Sequence, residues 1–135
     1  MIDRRTVLVW LLRGLGGVAA LALPTVFLPV SWMASVHEWL GMGRFPESGL
    51  VDYLARSLSM FYGLIGLLFL VMATDVERFA PIIRYAGWGS IAAGFMLTGI
   101  GLHSGIPKWW SYHEGPTSLV IGVAILWLLG SVPRR

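Results

Sequence analysis

The chain has 135 residues, of which 56% are hydrophobic and 13% charged, with a net charge of +3 and no cysteine. A soluble domain of this size buries too small a fraction of its surface to hide that much apolar area, whereas a chain dissolved in lipid has no such difficulty. The missing cysteines exclude disulfides, thiolate zinc sites, iron–sulfur clusters and cysteine nucleophiles, and basic residues confined to segment ends argue against nucleic acid as a partner.

Met1–Thr6 is a short basic head. Residues 7–29 follow as a first apolar span, interrupted by Arg13, with Pro24 placed to kink its outer end and Pro29 to stop it. A basic head, an apolar run and Ala20-Leu21-Ala22 also fit a cleavable leader. The charge of Arg13 and the hydrophobicity beyond Ala22 favour a span, with Arg13 snorkelling to the interface. Residues 31–43 are too short and polar to cross a bilayer. Trp32, Met33, Val36, Trp39 and Leu40 recur at helical spacing, which predicts a short helix lying in the interface. Arg44–Leu50 reads as a turn.

Residues 51–73 form the second span, and Tyr53–Ala73 alone reaches roughly 30 Å as a helix, the thickness of a hydrocarbon core. Its near-continuous hydrophobicity marks it as the central span, buried by the others. Thr74–Pro81 is a tight polar connection, and residues 82–102 make the third span, in which Gly87, Ser90, Gly94, Thr98 and Gly101 share one face and invite close helix packing. Residues 103–117 read as a loop rich in aromatics and histidine, and residues 116–132 as a short fourth span before Pro133-Arg134-Arg135. The expected fold is all-α: a single membrane domain of four transmembrane helices with an interfacial helix between the first two. Four spans put Arg4, Arg5, Arg13, Arg78, Arg84, Arg134 and Arg135 on one side, against Arg44, Arg56 and Lys108 on the other, which predicts that both termini are cytoplasmic.

This topology collects the polar residues in one non-cytoplasmic layer. Asp52 and Arg56 stand at i and i+4, either as a structural ion pair or as a pocket for an anionic headgroup or ligand. Trp109, Trp110, His113 and Glu114 complete the candidate ligand site, for which a quinone or lipid is the conceivable occupant; no cofactor is predicted. His37, His103 and His113 are weak metal candidates, because no two of them are spaced to chelate along one helix, and haem would need histidines inside a bundle rather than at its rim. Ser104 or Ser111 with a histidine and Glu114 makes a catalytic triad on paper, without the strained turn that marks a nucleophile. The third span and the fourth lack the mid-membrane ionisable groups that a small-solute carrier needs.

Over residues 54–107 the order of features is distinctive: Arg56 early in a span, Tyr62-Gly63-x-x-Gly66, an Asp75-x-x-Arg78-Phe79 turn, then a glycine-rich span ending at Gly105-Ile106-Pro107. This resembles small bacterial four-helix membrane proteins of the DoxX-like kind. The resemblance implies a four-helix bundle in a bacterial inner membrane and an accessory role, some members being subunits of quinone-linked oxidoreductases. Small-residue helix faces, almost no soluble mass and the lack of a catalytic motif make a non-catalytic accessory or scaffolding subunit contacting lipid and other membrane proteins the expected function, with a quinone-linked oxidoreductase component as the alternative.

Overall fold

A computed structural model describes residues 3–130. The expected end of the last span at Val132 and the basic Arg134-Arg135 pair lie outside them. The described residues are helical with no strand: α1 (Arg4–Ala20), a 3-10 turn (Leu23–Phe27), α2 (Val30–Trp39), α3 (Gly49–Met72), α4 (Ala80–His103) and α5 (Lys108–Leu129). Three stretches are long and apolar enough to cross a membrane: Arg4–Phe27, Gly49–Met72 and Lys108–Leu129. The fourth expected span, α4, matches α3 in length at 24 residues. Arg84, Tyr85, Trp88 and its many glycines dilute its hydropathy.

Three helix ends differ from the sequence reading. The first α-helix stops at Ala20, and Pro24 enters the first turn of a tighter 3-10 segment instead of kinking a longer helix. Pro29 then stands at the N-cap of α2. The largest difference is α5, which begins at Lys108 behind Pro107, so most of the expected loop is helix and the last span is not short. Pro116 sits inside that helix and forgoes one amide donor, a loss that membrane helices tolerate.

The chain divides into two compact units. One comprises Met1–Leu12 and Met72–Arg135. Its framework is the antiparallel pair α4–α5. Gly87, Gly94 and Gly101, a heptad apart, are all buried in this contact. A Cβ on Gly94 would lie 2.8 Å from the Gly115 carbonyl oxygen, and one on Gly115 would lie 2.7 Å from that of Gly94. Gly122 meets the Gly87 carbonyl in the same way, and the Ser118 hydroxyl donates to the Ser90 carbonyl at 2.9 Å. The small-residue face expected of this segment is therefore what brings the backbones together. Leu8, Leu12, Val76, Ile83 and Ile125 are fully buried in the same unit.

The connection from Ala73 to Phe79 is held by charge. Arg5 Nε donates to Glu77 Oε1 at 2.6 Å, and the Arg78 amide donates to Asp75 Oδ1 at 3.1 Å. The hydrogen bond from Arg5 holds the Glu77 carboxyl down at about 2, well below its ordinary 4.5. A depressed carboxylate stabilises the fold fully above its unfolded pKa, and the contribution disappears as pH falls towards the folded value. Glu77→Gln is therefore expected to lower the detergent-solubilised Tm by a constant amount above about pH 4.5, with the gap to the parent closing as pH falls towards 2. A gap that persisted unchanged to pH 2 would show that the ion pair is not its source.

The other unit, Arg13–Val71, is built on the contact of α1 with α3. A Cβ on Gly66 would lie 2.7 Å from the Gly16 carbonyl oxygen, and one on Gly16 would lie 2.8 Å from that of Gly66. Of the apolar stretch of α3 11% is buried, against 28% for that of α5. Tyr53, Leu54, Leu58, Phe61, Leu64 and Leu68 are all exposed. On α2, Met33 is buried while Trp32, Val36 and Trp39 are exposed.

Candidate functional site

The sequence-predicted residues fall in both units, and each cluster has its own geometry. At the start of α3, Arg56 Nε donates to Asp52 Oδ1 at 2.9 Å and to Oδ2 at 3.1 Å. Its Nη1 donates to the Val26 carbonyl oxygen at 2.5 Å. Both side chains are roughly two-thirds or more buried, with 27% and 33% of their surface exposed. Val26 belongs to the 3-10 turn that follows α1, where the helical hydrogen-bond ladder has broken and carbonyls lose their partners. Arg56 thus answers two demands at once. Asp52 neutralises its charge, and its second donor satisfies a backbone acceptor that hydrocarbon would leave bare. The i, i+4 ion pair was visible in the sequence. The Val26 contact was not, because a backbone carbonyl has no sequence signature, although Pro24 just before it marks the break.

The second cluster occupies the first two turns of α5. The rings of Trp109 and Trp110 meet edge to face with centroids 5.4 Å apart. Trp110 Nε1 donates to Glu114 Oε2 at 2.6 Å, an i, i+4 bond along the helix. His113 Nδ1 donates to the Trp109 carbonyl at 2.6 Å. Once the stretch is helical, these i, i+4 bonds brace the turn that precedes Pro116. The helix also separates His113 from Glu114, which lie on different faces.

The other two histidines behave alike. His37 Nδ1 donates to the Gly43 carbonyl at 3.0 Å, and His103 Nδ1 to the Gly99 carbonyl at 2.8 Å. Each of the three rings therefore spends one nitrogen on backbone. Among the described residues no group of three histidine, aspartate or glutamate side chains is arranged to hold a metal. The paper triad is not assembled either. The Ser104 hydroxyl donates to the Ile100 carbonyl, and Ser111 is buried against Gly101.

Two helix pairs in close glycine contact, three stretches long and apolar enough to cross a membrane, and site residues turned to backbone and to one another define a helical protein of membrane-spanning character. In comparisons with protein-family models, curated protein sequences and solved structures, the chain matches none.

Proposed function

We propose that the chain is an integral protein of a bacterial inner membrane that serves as a non-catalytic accessory or scaffolding subunit of a larger membrane complex, of the DoxX-like kind. In this reading α1 with its 3-10 turn, α3, α4 and α5 each cross the bilayer, α2 lies in the interface, and both termini are cytoplasmic. The distribution of basic residues supports the orientation. The length of α4 and its glycine contact with α5 support counting it as a span, since a helix that packs closely on a spanning neighbour need not be strongly apolar itself.

The observation that carries the role is a second set of glycines. Gly89 and Gly99 on α4, and Gly14 and Gly17 on α1, have open space where a Cβ would sit. They share these helices with large exposed side chains such as Trp10, Trp88, Phe95 and Ile100. Glycine weakens a helix and gives lipid nothing to pack against, whereas it lets a partner helix approach. Blue-native electrophoresis and native mass spectrometry from mild detergent test this. The 14.8-kDa chain is expected in a larger assembly of fixed stoichiometry, from which Gly89→Leu and Gly99→Leu release it without lowering its own Tm. A parent chain that runs alone, or one that carries a bound quinone outside any assembly, overturns the scaffold reading.

A further inference from the structure

We propose that the concavity between α2 and the segment that follows it binds the headgroup of an ethanolamine phospholipid. The concavity encloses about 540 Å³ and opens to the surroundings; Glu38, Arg44 and Glu47 line it together with Val30, Ala34 and Phe45. That volume lies within the range of small-molecule pockets. Its wall is shaped by local backbone chemistry. Gly41 and Gly43 adopt positive φ of 73° and 81°, which turns the chain back after α2. His37 fixes the return by donating to the Gly43 carbonyl, and its ring meets Phe45 edge-on at 5.4 Å.

The charges are the informative part. Glu38, Arg44 and Glu47 face one concavity, yet no hydrogen bond or ion pair occupies the side chain of any of the three among the described residues. All three side chains are exposed at the mouth of the hollow, so their charges are available to a ligand that enters it. The trio complements a zwitterion. A guanidinium grips a phosphate with several donors in a fixed plane, and two carboxylates accept hydrogen bonds from a primary ammonium. Choline cannot donate those bonds, and a glycerol headgroup offers the carboxylates no cation. Val30, Ala34 and Phe45 give the glycerol backbone an apolar wall. The depth is right if α2 lies in the interface, a point that rests on the membrane reading above. Trp32 and Trp39, 64% and 83% exposed on the same helix, are side chains that settle at headgroup level.

The test is native mass spectrometry of the delipidated full chain in mild detergent, titrated with phosphatidylethanolamine, phosphatidylcholine and phosphatidylglycerol of identical acyl chains. Phosphatidylethanolamine is expected to be retained about tenfold better than the other two, the worth of one or two charge-assisted hydrogen bonds. Glu38→Gln with Glu47→Gln should make the ethanolamine and choline lipids equal, Arg44→Gln should weaken both, and Ala34→Phe should fill the hollow and remove the preference by sterics alone. Equal retention by the parent chain overturns the proposal, as does a preference that survives all of these substitutions. Free phosphoethanolamine binding without any preference among the lipids would assign the site to a soluble ligand and likewise overturn it. A chain that remains in the micelle but shows no preference defeats the headgroup proposal while leaving the membrane reading intact.

Discussion

Replacing Gly115 by leucine is expected to prevent α4 and α5 from closing on each other and to give the largest loss of stability of any single substitution in the chain. The reason is that the clash is with backbone. The new Cβ would lie 2.7 Å from the Gly94 carbonyl oxygen and 2.8 Å from the Thr98 amide nitrogen, so no rotamer change relieves it and the helices must separate along their whole contact. Separation would also undo the approach of Gly122 to the Gly87 carbonyl and the Ser118–Ser90 hydrogen bond. A loss of about 3 kcal/mol, the upper end for overpacking, is the expected scale. The matched control lies on α4 itself. Gly99 has open space at its Cβ position, so Gly99→Ala should be neutral or raise stability by about 0.5–1 kcal/mol through helix propensity. Tm by intrinsic fluorescence in one detergent reads both variants. Equal behaviour of Gly115→Leu and Gly99→Ala would mean that the α4–α5 contact does not hold the unit together.

Arg56→Leu is expected to be the second most damaging change. It strips the Val26 carbonyl of its donor and leaves Asp52 without a counter-charge in a site only about a third exposed. An unsatisfied carbonyl alone costs about 1–3 kcal/mol, and the stranded carboxylate adds to that or takes up a proton. The combination separates structure from ligand binding. Arg56→Leu with Asp52→Asn removes both charges, and should recover the part of the loss due to the stranded carboxylate but not the part due to Val26. Arg56→Gln keeps a donor and should fall between. If every one of these variants kept the parent Tm while losing a co-purifying small molecule, Arg56 would be a ligand residue and not a clamp.

These two sites mark where the sequence was legible. The face of Gly87, Gly94 and Gly101 could be read because the helical repeat puts heptad positions in line and because glycine has few other uses inside an apolar span. The Asp52–Arg56 pair could be read for the same reason of spacing. The start of α5 was hidden because Gly115-Pro116 has the composition of a turn, and the bonds that hold it helical, Trp110 to Glu114 and His113 to the Trp109 carbonyl, depend on the helix already being present. The exposed side chains of α3 were hidden for a different reason. Hydropathy measures affinity for an apolar surrounding and does not distinguish lipid from protein. The cavity beside α2 was missed because its three charges are brought together by two left-handed glycines in a segment that the sequence shows only as a turn.

The short link between α4 and α5 has a consequence for biogenesis. Only Ser104–Pro107 separates the two helices, so their glycine faces can meet as soon as α5 has formed. The glycine contact of α1 with α3 must instead wait while the 3-10 turn, α2 and the segment after it are made. Loop closure becomes more demanding as the intervening chain lengthens, and contacts close in sequence form first. The α4–α5 hairpin should therefore close before the contact of α1 with α3, although it is made last along the chain.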